Sequence, residues 1–549
     1  MIKHDLAGLV RTAAEAAQAC GDLASVALPE IRIERPKTLD LGDYSTPVAM
    51  ELRRTVGGDP LAIAEKIVRH FPSIASIESP SVARPGFINF RLRDSWLTAQ
   101  VETILEQGQG FGNQSWGEGR SVQVEFVSAN PTGPLHVGNG RGAALGSTLA
   151  TVLEAAGFRV EREYYVNDAG SQIDVFTRTL YARYQQLFGR PAPIPEDGYP
   201  GEYMIELAES LRTQYGETML QPEGEAPPPE LGPVGIAGML RRIRDDLESL
   251  RVHYDVWFSE SSLYGESQRY QTIMDVLRQR GYVAEKEGAV WFTSTDLGED
   301  KDNVLVRRDG TPTYFASDIA YHYDKFVERK FGRVIDIWGA DHQGHVSRLK
   351  AAVAAIGADP EQLSILLYQL VMVKGGRLSK RAGNIITLRE LVSEVGSDAC
   401  RFFFLSRSGD SQMEFDLDLA KRRSNDNPVY YVQYAHARIA GILRTAEERG
   451  VSPAGGDVQL LRHPTELALI RKMLVLPELV ETVAKTLEPH HLPHYASELA
   501  TAFHAFYTEC RVVSEDEALT RARLRLTAAA RVALARVLHL MGMSAPERM

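Results

Sequence analysis

Two rhythms of apolar residues alternate along the middle of this chain, and one rhythm fills its end. Residues 122–127 are a β-rich run that enters a loop carrying Pro131, Gly133 and Pro134. After Gly138 the apolar positions Leu145, Leu149, Val152 and Leu153 fall at helical spacing, and a second β-rich run covers 158–166. Strand, polar loop, helix and strand in that order are half of a doubly wound parallel sheet. Further β-rich pieces at 289–293, 303–306 and 333–338 are expected to resume that sheet, and 366–373 is another apolar run. A helix over 6–19 and short β-rich pieces at 31–33 and 86–92 precede it. After Arg422 the spacing is helical throughout, over 429–440, 467–476, 499–506 and 523–540, which predicts a bundle.

The chain therefore reads as an α/β Rossmann-type catalytic domain with an N-terminal α+β domain and a C-terminal all-α helical bundle. The expected boundaries are 1–115, 116–424 and 425–549. The glycine-rich stretch 108–114 forms the first linker. Pro/Glu-rich loops at 190–198 and 222–230 border a helical insertion of about 180–275 in the central unit. At 549 residues, three cores are expected rather than one.

Composition narrows the class without naming it. The chain is 44% apolar and 24% charged, the balance of a globular protein. No apolar run reaches membrane-spanning length, and the N-terminus lacks the apolar stretch of a secretory signal. Cys20, Cys400 and Cys510 are far apart and odd in number, so neither a disulfide framework nor a zinc spacing is read, no metal site is expected, and a cytoplasmic location is. A net charge of −11 argues against a generic nucleic-acid binder, but phosphate contacts depend on local patches. Arg521, Arg523, Arg525, Arg531 and Arg536 form a basic run that is either such a patch or a solvated helix face.

Two separated loops carry the candidate chemistry. His136 stands at the mouth of a helix, where free N–H groups and the helix dipole favour phosphate, and Gly138 leaves the backbone open to a ligand. More than two hundred residues later, Lys374-Gly-Gly-Arg-Leu-Ser-Lys380-Arg381 is a basic, glycine-flanked loop. Together the two could clamp a triphosphate from both sides. His342 and His345 lie close in sequence, but without a nearby cysteine they read as a nucleotide-facing loop rather than a metal site.

These residues resemble those of class I aminoacyl-tRNA synthetases, and of the arginyl-tRNA synthetase family in its bacterial form. His136-Val-Gly-Asn139 resembles the HIGH signature, with Asn139 in place of the final His, and Arg377 to Arg381 resembles the KMSKS loop. The stretches Glu125-Phe-Val-Ser-Ala-Asn130, Tyr165-Val-Asn167-Asp168, Gly339-Ala-Asp-His342, Asp398-Ala-Cys-Arg401 and the C-terminal Ala545-Pro-Glu-Arg-Met549 are similar to the same family. The resemblance implies arginine–tRNA ligase activity. L-Arginine would be activated with ATP to arginyl-adenylate and transferred to the terminal ribose of its tRNA, in a monomeric, non-membrane enzyme. It implies catalytic roles for His136, Asn139 and Lys380, and ATP contacts from Pro134, Leu135, His136, Gly138, Asn139, Asp341, Ser379 and Lys380. Mg2+ would be held mainly by the ATP phosphates. Glu125 and Asp318 are the carboxylates expected to match a guanidinium. Asn130, Tyr314 and His342 complete the arginine set, Tyr314 and Asp318 sharing a face if their segment is helical. Phe87 and Asn89 would meet tRNA at its elbow, and Tyr430, Gln433, Tyr434 and Met549 at the anticodon. Other readings are a class I synthetase for another amino acid, a small-molecule adenylyltransferase, or a non-catalytic RNA-binding paralogue.

Overall fold

The computed structural model describes residues 1–264, 268–375 and 386–549. At its centre is a parallel sheet of five strands: β1 Ser121–Phe126, β2 Arg159–Val166, β3 Val256–Ser259, β4 Arg333–Gly339 and β5 Leu363–Tyr368. Their spatial order is β5-β4-β1-β2-β3. The chain steps outward from β1 to β3 and then resumes on the other side of β1. The order reverses between β1 and β4, and a crevice opens there beyond the carboxyl ends of the strands.

The two faces of β1 differ in kind. Val122, Val124 and Phe126 point one way and are fully buried. Against them lies the helix Val137–Ala155, which approaches closely because glycines line its inner side. A Cβ on Gly146 would stand 2.2 Å from the Phe126 ring, and one on Gly142 2.9 Å from Tyr368. The opposite face of β1 carries Gln123 and Glu125. In register, Glu125 stands beside Glu163 of β2 on one side and Asp336 of β4 on the other. Three acidic residues thus form a row across three adjacent strands.

The expected course of the sheet is corrected in two places. Ala289–Phe292 and Asn303–Val306 do not resume it. With Val283–Lys286 they form a separate antiparallel sheet. Glu287 and Gly288 both have positive φ (53° and 76°), the backbone of a tight hairpin turn, and a hairpin can pair its strands only antiparallel. The edge strand Val256–Ser259, by contrast, has no conspicuous signal in the sequence. The apolar run 366–373 is also broken: β5 ends at Tyr368, and Val371–Lys374 pairs with Met413–Asp416. Between β2 and β3, helices Ser171–Gln186, Glu202–Tyr215 and Leu231–Ser249 share their own apolar cluster, which includes Phe176, Leu180, Met204 and Met239.

The N-terminal unit packs helices Val48–Val56 and Pro60–Arg69 on a three-stranded antiparallel sheet with Phe87–Phe90 in the middle, helix Ile2–Ala19 lies on Pro60–Arg69, and helix Asp94–Gln107 packs against the C-terminal helices Pro464–Met473 and Glu517–Leu540. Residues 31–33 form no strand; only Glu34 bridges to Ser45. The C-terminal unit is a bundle of helices Pro428–Glu448, Pro464–Met473, Leu476–Thr486, His491–Glu509 and Glu517–Leu540. Each arginine of its basic run has a protein partner. Arg523 pairs with Glu466, Arg525 with Glu102, Arg531 with Glu547 and Arg521 with Glu517, while Arg536 donates to Asn113. Two of these partners lie outside the bundle, so the run joins units. The fully buried Arg401 does the same, donating to Leu250 O, Met541 O, Ser147 Oγ and Thr148 Oγ1. Among the described residues no helix is long and apolar enough to cross a membrane.

The helix-to-sheet approach gives a direct test. Gly146→Val should force the helix off Phe126 and cost about 2–3 kcal/mol or more, read as a fall in melting temperature. Gly8→Ala, in an exposed helix with nothing within 4 Å of the new Cβ, should instead stabilise by roughly 0.5–1 kcal/mol.

Candidate functional site

The crevice at the strand reversal is built first by a turn. After β1, Val127 and Ser128 take positive φ (70° and 40°), a conformation rare for a β-branched residue, and the chain swings out of the sheet. Ser128 Oγ donates to Glu125 Oε1 at 2.9 Å and accepts from the Tyr165 amide at 3.0 Å, which holds the turn to β1 and β2. The loop then passes Asn130 and Pro134 and reaches His136, the N-cap of the helix Val137–Ala155. His136 Nδ1 accepts from the Asn139 amide at 3.3 Å, and Asn139 Oδ1 accepts from the His136 amide at 3.0 Å. This reciprocal cap assigns the accepting nitrogen of His136 to Nδ1 and leaves Nε2–H facing the crevice. Desolvation of the ring holds its pKa below the ordinary histidine value, although Asp341 opposes the shift. A neutral N–H donor results. The space beside Gly138 is not open to a ligand as the sequence suggested. A Cβ there would stand 2.9 Å from the His136 ring, so the glycine seats the histidine.

The second loop meets the first at its far end. Ile386 O accepts from Val137 N, and Leu388 N donates to Leu135 O at 2.8 Å. His136 and Thr387 form an isolated antiparallel bridge. Leu135 is buried, so it contributes backbone. Ser379, Lys380 and the rest of the basic loop lie outside the described residues.

Beside the turn is an acidic pocket. Glu125, Asp336 and Glu163 line the sheet face, and two cations from the segment after the helix Tyr314–Tyr323 cover them. Lys325 Nζ donates to Glu125 at 2.6 Å and to Asp336 at 2.8 Å, and Arg329 pairs with Glu163 and Asp324. Burial resists the charge on Asp336, but Lys325 and His322 outweigh it and hold the group at about 2. Asp318 sits one turn after Tyr314 on that helix. Among the described residues its carboxylate makes no hydrogen bond or ion pair, and burial pushes it up to about 6. Glu260, just past β3, is buried and raised by burial to about 7, with Asp318 and Asp168 adding repulsion. With the Asn167 amide oriented to donate, its nitrogen lies 2.7 Å from Glu260 and 3.3 Å from Ala169 O, and its oxygen 3.2 Å from the Asn130 side chain. Tyr314 is 47% exposed at the rim. Beside that cation-covered row, Asp318 and Glu260 are two desolvated carboxylates with no ion-pair partner among the described residues, although Arg348 and His322 draw Asp318 down at longer range; a ligand bearing fixed positive charge suits them.

Other sequence-derived positions fall elsewhere. Asp341 and His342 follow β4 and are exposed, the His342 ring lying against Trp338 and His345. Phe87 is half-buried, while Asn89 is buried in the middle strand of the N-terminal sheet; Phe90 is core. Tyr430 and Tyr434 stack at 5.9 Å on the first bundle helix. Gln433 is a correction: it is buried, and its amide donates to Asp398 at 2.8 Å and to Ser544, tying the bundle and the C-terminal tail to the central unit rather than facing outward. Met549 is 56% exposed. Sequence reasoning missed Lys325 and Glu260, and missed Arg438, which lies over both Tyr434 and Tyr507. The spacing i, i+4 from Tyr434 to Arg438 was the available signal. It also missed a Cys20–Asp22–His70 cluster at the ends of two N-terminal helices. There Asp22 is already shared by His70 and Arg69, so the group reads as a hydrogen-bonded closure of those ends.

Three family profiles match in sequence: the arginyl tRNA synthetase N-terminal domain over 5–92, the class I (R) tRNA synthetase catalytic domain over 100–194 and 237–404, and the DALR anticodon-binding domain over 432–549. An arginine–tRNA ligase of Dehalococcoides mccartyi is 55% identical over 552 residues, covering 100% of this chain and 99% of that one. That of Heliobacterium modesticaldum is 49% identical over 559 residues, with the same coverage. The solved Thermus thermophilus arginyl-tRNA synthetase shares the fold, with a TM-score of 0.78 at 24% identity and 100% coverage of both chains.

The reciprocal cap predicts the consequence of losing Asn139. Asn139→Ala removes one bond of the pair and should destabilise by about 1 kcal/mol. The backbone N–H of residue 139 still donates to His136 Nδ1, so the imidazole should keep a pKa below that of an ordinary histidine, measurable by NMR.

Proposed function

The chain belongs to the arginyl-tRNA synthetase family, and from that premise we propose that its crevice and acidic pocket perform the two half-reactions of an arginine–tRNA ligase. L-Arginine is activated by ATP, and the arginyl group then passes to the terminal ribose of tRNA(Arg). The observation that carries the substrate assignment is the pair Asp318 and Glu260, a half-buried and a buried carboxylate, neither of them ion-paired among the described residues. A guanidinium, planar and always charged, meets both at fork spacing. This revises the expected pairing. Glu125 already has Lys325, so it serves the α-amino end of arginine together with Asn130, and Tyr314 closes the rim.

Activation is in-line attack of the arginine carboxylate on the α-phosphate of ATP. The protein supplies position and charge rather than a nucleophile. The Val137–Ala155 helix terminus and the His136 N–H receive phosphate oxygens, and Asn139 keeps the ring aimed. Lys380 and Ser379 act on the leaving pyrophosphate. Mg2+ arriving with ATP would share that charge. The exposed Asp341 suits an ion held mainly by phosphates, since one rim carboxylate is not a protein cage. For tRNA, Tyr430 and Tyr434 with Arg438 offer a stacking and cation–π platform, Met549 lies at the tail, and Phe87 is the half-buried candidate on the N-terminal unit. The enzyme is proposed to work as a cytoplasmic monomer.

Pyrophosphate exchange with each amino acid, with and without tRNA, tests the reading: arginine alone should support it. Asp318→Asn and Glu260→Gln should each raise the arginine KM by roughly 30-fold or more, about 2 kcal/mol, with the ATP KM little changed. Neutral citrulline should be a poor substrate; its use on a par with arginine would sink the assignment. Lys380→Ala should slow adenylate formation by about two to three powers of ten with arginine affinity retained.

The raised carboxylates also set a pH dependence. Arginine needs both ionised, so its affinity should fall as pH drops through about 7 and then about 6. In the empty protein the same raised values mean that the folded state binds these protons more tightly than the unfolded chain. The two groups therefore cost stability above their folded pKa and cease to do so below it. Saturating arginine should raise the melting temperature more at about pH 8 than at about pH 5.5.

A further inference from the structure

The pocket assigned to arginine contains a cation of its own. Lys325 is 0% exposed, bonded to Glu125 and Asp336, and its Nζ lies 4.2 Å from the centroid of the Tyr321 ring. It is carried by Asp324–Glu328, a π-turn that continues the helix bearing Asp318. Such a turn inserts a residue and re-aims the side chains after it, and it is common at functional sites. Without the insertion the helix would continue along the sheet; with it, Lys325 and Arg329 come down on the acidic row.

Each charge around Lys325 has a defined place. On the sheet side are Glu163 of β2, Glu125 of β1 and Asp336 of β4. Arg329 covers Glu163, and Tyr321 donates to the same carboxylate. His322 Nε2 faces Asp336 at 3.0 Å. Arg348, on the helix Val346–Ala355, acts on Asp318 from the other side. Among the described residues, Lys325 is the cation bonded to Glu125. The second oxygen of Glu125 accepts from Ser128, in the strained turn that leads to Asn130. A continuous set of contacts thus runs from Lys325 through Glu125 and Ser128 to the loop that must receive the amino-acid end of the substrate.

Resting on the arginine reading above, we propose that Lys325 is a positioning residue for arginine: it fixes one oxygen of Glu125 while Ser128 holds the other, and it leaves Asp318 and Glu260 as the open pair for the guanidinium. It touches neither ATP nor the reacting atoms. A lysine that served only to fill the core would be replaceable by an apolar side chain of like length. Here its charge counts against three carboxylates, and its removal would leave Glu125 and Asp336 without the cation they share. Burial already pushes Glu125 upward, Lys325 pulls it down and Asp336 pushes it up again. Loss of Lys325 and loss of Asp336 should therefore move the acid limb of arginine use in opposite directions.

The test measures kcat and both KM values by arginine-dependent pyrophosphate exchange across pH for the full-length parent, Lys325→Met and Asp336→Asn. For Lys325→Met the expected result is an arginine KM raised about tenfold or more near neutral pH, an unchanged ATP KM, and an acid limb displaced to higher pH. Asp336→Asn should keep the arginine KM within about threefold at pH 8 and displace the limb to lower pH. Limbs that stay in place, or that move together, or equal rises in both KM values, overturn the assignment and leave Lys325 as packing. If Lys325→Met does not fold, Ser128→Ala decides: it breaks the link from Glu125 to the loop and should raise the arginine KM with the ATP KM unchanged, and an arginine KM equal to the parent's overturns the assignment. A parent that shows no arginine-dependent exchange removes the arginine reading itself, a result distinct from a parent that uses arginine while its variants keep the same limb.

Discussion

Glu163, Glu125 and Asp336 stand side by side on three neighbouring parallel strands, and the molecule is arranged around that row. Strands in a sheet are about 4.8 Å apart, and at an effective dielectric of about 20 two like charges at that spacing repel by roughly 3–4 kcal/mol. In a β-sheet covered on both faces, water cannot relieve this. Lys325 and Arg329 relieve it instead, from a single irregular turn, and the helix before that turn brings Asp318 to the pocket. Neutralising the row and shaping the pocket are therefore one structural act. What remains negative after the internal cations are placed is Asp318 with Glu260, and that remainder is the shape and charge of the site.

The opposite face of β1 follows a different logic. There the requirement is close approach, met by Gly142 and Gly146, so that the helix Val137–Ala155 can bring its N-terminus to the reversal of strand order. That helix also receives Arg401, whose guanidinium reaches Ser147, Thr148, Leu250 and, near the C-terminus, Met541. Burial lowers the Arg401 pKa to about 10, and the acceptors of four separate groups offset the desolvation. The phosphate-facing helix, the insertion and the end of the C-terminal bundle are consequently one mechanical unit. Gln433, bonded to both Asp398 and Ser544, reinforces the same junction. The bundle formed by the last part of the chain is thus in direct contact with the helix Val137–Ala155.

Much of the architecture and part of the site could be read without coordinates, for reasons that are local. β1, its loop, the helix after it and β2 are continuous in the chain and carry strong periodicity, so their order and the place of His136 follow from residue spacing. Tyr314 and Asp318 at i, i+4 needed only a helix to share a face. Most of the failures are relations between segments or side-chain placements that residue spacing does not fix. Residues 289–292 and 303–306 have strand composition, but composition does not say which sheet a strand joins. Gly138 was read as open space, yet the occupant of that space, the His136 ring, is set by a rotamer. The arginines of the last helix look like a phosphate patch until Glu102, Glu466 and Glu547 are found opposite them.

The amino-acid sequence by itself determined the doubly wound centre, the helical end and the family, because each rests on periodicity or on a short contiguous pattern. The tertiary structure alone decided which carboxylates are free to meet a substrate. Glu125 and Asp318 look alike as residues, but one lies against Lys325, two hundred residues away, and the other does not. Charge compensation depends on distance in space, and in this pocket strand register and one π-turn set that distance.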